Sequence, residues 1–117
     1  MKMKREQFVG LVEQVLDSLP EQFQARIHNL AVLVEDEPPD HIASSRNGLV
    51  LGVYQGVPAT QKSVFDMSLG PDRIVLYQKN IEAVCSSEAE IRHEVRQTVL
   101  HELGHYFGMD EEQLKDV

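Results

Sequence analysis

The chain has 117 residues, 42% of them hydrophobic, which is enough for one core and too few for two lobes around a deep cleft. With 11 Lys and Arg against 19 Asp and Glu the formal charge is -8, which disfavours nucleic acid and anionic membranes as partners. One cysteine, Cys85, excludes an internal disulfide and fits a reducing compartment, so a cytoplasmic location is expected.

Phe8, Leu11, Val12, Val15, Leu16 and Leu19 recur at helical spacing, with Glu6, Glu13, Gln14 and Asp17 between them. This predicts an amphipathic helix from about Lys4 to Ser18, and its polar residues rule out reading the start as a signal peptide or a membrane span. Leu19-Pro20-Glu21 then predicts a short helical turn anchored by Phe23 and Ile27, proline being favoured where a helix begins. Leu30 to Val34 is a run of branched apolar residues closed by Pro38 and Pro39, the pattern of a buried strand. From Glu35 to Asn47 the acidic and polar composition predicts a solvated loop, and Leu49 to Tyr54 is again strand-like.

A second long connection runs from Gly56 to Gly70-Pro71-Asp72, and Arg73 to Tyr77 is the third strand candidate. A short helical turn is expected from Asn80 to Val84. Ser87 followed three residues later by Glu90 has the spacing of a capping box, so a long helix should start there. Ile91, Val95, Val99, Leu100, Leu103 and Phe107 give that helix an apolar stripe reaching Gly108. The expectation is one domain over residues 1–117, of α+β class. It has a small, mostly three-stranded sheet packed against an N-terminal helix and a C-terminal metal-binding helix. Strand order stays open at this level.

The chemistry concentrates in that last helix. His101-Glu102-Leu103-Gly104-His105 is an HExxH pattern. Four helical residues turn through about 400° and rise about 6 Å, so the two imidazoles project from nearly one face, one turn apart. They can share an ion at distances of about 2.0–2.1 Å, and Glu102 falls beside the ion, where a base belongs. A catalytic zinc also needs a third protein ligand and one open position. Gly108 is suited to ending the helix, after which Asp110, Glu111 and Glu112 offer carboxylates. His93 lies two turns before His101, too far to share its ion, and His28 and His41 read as solvated. Tyr54, Tyr77 and Tyr106 read as packing residues and Cys85 as a small buried one.

HELGHYFGMDE resembles the HExxHxxGxx(H/D) signature of the metzincin clan. It resembles more closely a family of compact bacterial zincin-like metallopeptidases whose chains end soon after HExxHxxG-x-D-(D/E). The similarity extends to Gly52-Val53-Tyr54-Gln55-Gly56-Val57-Pro58, to Pro71-Asp72-Arg73-Ile74-Val75-Leu76-Tyr77 and to Thr98-Val99-Leu100. The resemblance implies one Zn²⁺ held by His101 and His105, Glu102 as general base and Gly108 as the turn. Glu111 stands where metzincins place the third ligand, with Asp110 the alternative. The pattern departs from metzincins after that point. In this sequence only Glu112 to Val117 follow, so no counterpart of the subdomain with its methionine turn is expected, and Met109 is not equated with that methionine.

Two functions are compatible with this reading. One is a zinc-dependent peptidase acting on a peptide or protein substrate that pairs with a rim strand, Leu49–Tyr54 or Arg73–Tyr77. The other is a zincin-like metal-binding module with no significant hydrolysis, acting as a binding or regulatory domain. No nucleic acid and no membrane partner is expected.

Overall fold

The computed structural model describes residues 1–24, 27, 30–44, 48–56 and 72–106. Its elements are α1 (Arg5–Asp17), α2 (Glu21–Gln24), β1 (Leu30–Glu35), α3 (Asp40–Ala43), β2 (Gly52–Gln55), β3 (Asp72–Tyr77), α4 (Gln78–Ala83) and α5 (Glu88–Tyr106). The α+β expectation and three strands hold among these residues. None of the described helices is long and apolar enough to cross a membrane.

The sheet has the order β1-β3-β2. β1 lies parallel to β3, with Leu30 opposite Asp72 and Glu35 opposite Tyr77. β2 lies antiparallel to β3, with Gly52 opposite Leu76 and Gln55 opposite Arg73. The last of the described strands in sequence is therefore the central one, and this explains its composition: Ile74, Val75, Leu76 and Tyr77 are all buried because both faces of the strand are covered. Ile74 and Leu76 join the main core, while Val75 and Tyr77 join Val50 and Val53 in a second cluster against which Ile42 packs.

The main core sits between the sheet and two helices. α1 contributes Phe8, Leu11, Val12 and Val15, and α5 contributes Ile91, Val95, Val99, Leu100 and Leu103, in agreement with the expected stripes. The i, i+4 repeat of Ile91, Val95, Val99 and Leu103 brings four fully buried side chains onto one line of α5. Truncating any of them would remove transfer energy and leave a cavity.

Four local expectations need correction. Leu30 to Val34 is a strand but not a buried one: among the described residues β1 is an outer strand, with Leu30, Ala31, Val32 and Val34 partly buried and Leu33 40% exposed. Asp40–Ala43 forms a single helical turn where a loop is expected. Pro39 C=O accepts from both Ile42 and Ala43 N–H, and the Ser44 hydroxyl donates to Asp40 C=O, so the turn is made by local bonds that composition does not reveal. α4 begins at Gln78, two residues before the expected Asn80, because Gln78 is a buried partner of the N-terminal segment. The Ser87–Glu90 box forms only in half. Glu90 N–H donates to Ser87 Oγ at 3.2 Å, while the Glu90 carboxylate accepts from the Ser86 and Ser87 hydroxyls at 2.6 and 3.1 Å. These hydroxyl bonds, that of Ser86 foremost, hold the Glu90 carboxyl below its ordinary range.

Candidate metal and peptide site

The HExxH segment lies within α5, which stays helical through Tyr106. Positions 101 and 105 are thus one turn apart on one side of a continuous helix. His101 is half-buried and Glu102 is 4% exposed. Leu103, between the histidines, is fully buried and faces the core. The side chain of His105 and residues 107–117 lie outside the described residues, and with them Gly108, Asp110 and Glu111. Among the described residues no group of three or more His, Cys, Asp or Glu is placed to hold a metal.

What the structure adds is the surroundings of Glu102. Its Oε2 accepts the backbone N–H of Tyr54 at 3.1 Å, across 48 positions of sequence. The direction of that N–H follows from the sheet. Tyr77 N–H donates to Leu51 C=O at 2.9 Å, and hydrogen-bonded pairs alternate in an antiparallel ladder. The bonded pairs with β3 therefore fall at residues 51, 53 and 55, and the polar groups of Gly52 and Tyr54 turn to the other side of β2. Among the described residues β2 is one of the two edges of the sheet, β1 being the other, and Glu102 reaches it on the side where a further strand would add.

β2 is held at both ends. Asn80 Nδ2 donates to Val50 C=O at 2.7 Å before it, and Arg73 Nε donates to the Gln55 side chain at 2.8 Å beside its end. Between them Gly52 lies against α5. A Cβ built on Gly52 would fall 2.7 Å from Thr98 Cγ2 and 3.0 Å from Val75 C=O. The helix thus passes β2 closer than a side chain at position 52 permits.

Of the two rim strands considered from sequence, only β2 remains. Arg73–Tyr77 belongs to β3, which is paired on both sides and has no edge to offer. His41 and His93 are exposed, and His28 lies outside the described residues. Cys85 is buried in the main core, and burial, followed by the nearby Glu94 and Glu90 carboxylates, pushes its thiol up, away from reactivity. Sequence reasoning missed Thr98 and Gly52 as partners and the Tyr54 N–H as a donor. Their signal was present in the spacing, since Thr98 lies one turn before Glu102 and Gly52 two residues before Tyr54.

Residues 27–117 match the sequence profile of zincin-like metallopeptidases. A solved structure described as a conserved hypothetical protein from T. thermophilus is similar, with a TM-score of 0.59 and 30% identity. The alignment covers 88% of this chain and 92% of that one. Among curated proteins none matches.

Proposed function

Because this chain belongs to the zincin-like metallopeptidase family, we propose that it is a zinc-dependent peptidase with Glu102 as its base. The observation that carries this reading is the placement of a buried carboxylate, next to His101 on an unbroken helix, against an edge strand of the described sheet. The donor set fits zinc. Two imidazoles at i, i+4 and a carboxylate later in the sequence are the ligand types of catalytic zinc sites.

In this reading His101 and His105 hold the ion, and Glu111, or Asp110 in its place, supplies the third ligand. When bound, zinc supplies a Lewis acid that polarises the scissile carbonyl and eases ionisation of the attacking water. Glu102 accepts a proton from that water as the new C–O bond forms. It then delivers the proton to the leaving nitrogen as the C–N bond breaks, so the products are a carboxylic acid and an amine. β2 presents its outward side to an extended peptide, which would lie along it by strand addition. Its clamps at Val50 and Gln55 keep that rim in place.

Zinc analysis of the purified protein beside His101→Ala tests the metal. One zinc per chain in the wild type and a large loss in the variant are expected. Loss of metal in Glu111→Ala, with Asp110→Ala unaffected, assigns the third ligand; the reverse pattern assigns Asp110. Stoichiometric zinc with no cleavage across a broad peptide library would replace the peptidase reading with that of a metal-binding module.

A further inference from the structure

We propose that Gly52 and Thr98 form a spacer that sets the depth of α5 against β2 and so places the Glu102 carboxylate on the Tyr54 N–H. Gly52 would thereby be a positioning residue for the base. The proposal rests on the reading of Glu102 given above.

Glycine at position 52 is not required by backbone conformation. The described glycines with positive φ are Gly48 and Gly56, and Gly52 is not among them. What it lacks is room. The Thr98 methyl stands where its Cβ would be, at 2.7 Å, and the Leu76 Cδ2 at 3.2 Å closes the same space. An atom at this point has to displace the Thr98 methyl, and with Val75 C=O, backbone of the central strand, closing the other side at 3.0 Å, the proposed outcome is that α5 gives way.

The consequence reaches Glu102 through matched repeats. From Thr98 to Glu102 the helix rises about 6 Å. From Gly52 to Tyr54 the strand advances about 6.7 Å. One helical turn and one two-residue strand step are therefore nearly equal, and the two pairs of contacts, 98 with 52 and 102 with 54, repeat side by side. In the first pair the Thr98 methyl lies 2.7 Å from a Cβ built on Gly52, and the second is a hydrogen bond of 3.1 Å. Such a bond weakens steeply when donor and acceptor separate by a few tenths of an ångström beyond their usual range. Moving α5 outward at Thr98 thus costs the Glu102 bond before it costs the apolar core further along the helix.

The test uses the full chain and reads three quantities: exchange protection of the Tyr54 amide by NMR, zinc per chain, and kcat and KM on a quenched-fluorescent peptide mixture. Gly52→Ala is expected to speed Tyr54 amide exchange by about tenfold or more, the scale of losing a hydrogen bond to a carboxylate. Zinc should stay at the wild-type level, and kcat should fall by about tenfold with KM little changed. Adding Thr98→Ser removes the colliding methyl and should restore both exchange protection and kcat. If Gly52→Ala fails to fold, Thr98→Ile crowds the same gap from the helix side and should give the same pattern. Unchanged Tyr54 exchange in the crowded variant, or no recovery on adding Thr98→Ser, overturns the spacer. A wild type that binds zinc but cleaves nothing defeats the peptidase reading alone, while the exchange data still decide whether Gly52 sets the Glu102 contact.

Discussion

Glu82 and Glu102 are both buried carboxylates, 9% and 4% exposed, and both accept a backbone N–H from a distant segment. Glu82 Oε2 takes Met3 N–H at 2.7 Å and the Gln78 side-chain amide at 3.2 Å. Gln78 in turn donates to Met3 C=O and accepts from Arg5, whose guanidinium continues to Val34 C=O and into an ion pair with Asp36. This carboxylate belongs to a network that stitches the start of the chain to α4 and the end of β1. Glu102 instead sits in the last turns of α5, beside a half-buried histidine, and meets the sheet at a strand that forms one of its edges among the described residues. Burial of a carboxyl group marks both positions, and only the neighbours distinguish a fastening from a reacting group.

The sharpest way to break this distinction is Glu102→Gln, which should retain zinc while peptide turnover falls by about 100-fold or more. Metal analysis and turnover on the same sample check it, and equal turnover would remove Glu102 as base. Glu82→Ala should do the converse. Met3 N–H and Gln78 lose their acceptor, so urea unfolding should show a loss of about 1–3 kcal/mol, with zinc and turnover per folded molecule unchanged. A smaller effect of the same kind is expected of Arg5→Ala. Its side chain is 42% exposed, and the cost should be about 1 kcal/mol in the same urea experiment.

The smallest effect concerns Glu90, an exposed carboxylate with neither role. Its pKa is lowered on folding, so its contribution is complete above the unfolded value near 4.5 and is lost as pH falls through the lower folded value. The difference in urea midpoint between wild type and Glu90→Gln should be present at neutral pH and shrink in acid. A difference that grew in acid would contradict the hydroxyl bonds from Ser86 and Ser87.

The two carboxylates also show what sequence reading reaches. The stripes of α1 and α5 were legible because burial there follows a local period, and the apolar runs located β1 and β3 as strands; the burial of β1 was not legible, because that depends on its place at one edge of the described sheet. Glu102 was legible because two histidines at fixed spacing surround it. The family was legible in the same residues, and the match over residues 27–117 agrees. Glu82 carried no local mark, since its partners Met3 and Gln78 lie 79 and 4 positions away and only the fold joins them. The strand order and the Tyr54–Glu102 bond are likewise long-range facts. The α3 turn escaped because it is made by local hydrogen bonds in an acidic stretch with a single apolar anchor, Ile42.

The order β1-β3-β2 has a consequence for how the molecule comes together. β1 and β2 precede β3 in the chain, yet neither pairs with the other, and each meets the sheet through β3. Among the described strands, β3 must emerge during synthesis before either has its partner, and the parallel pair must close a long loop to form. The antiparallel β2–β3 pair spans the shorter loop and is the natural first assembly. α4 and then α5 follow in the chain, and docking α5 on that pair brings Glu102 to Tyr54 before β1 is needed.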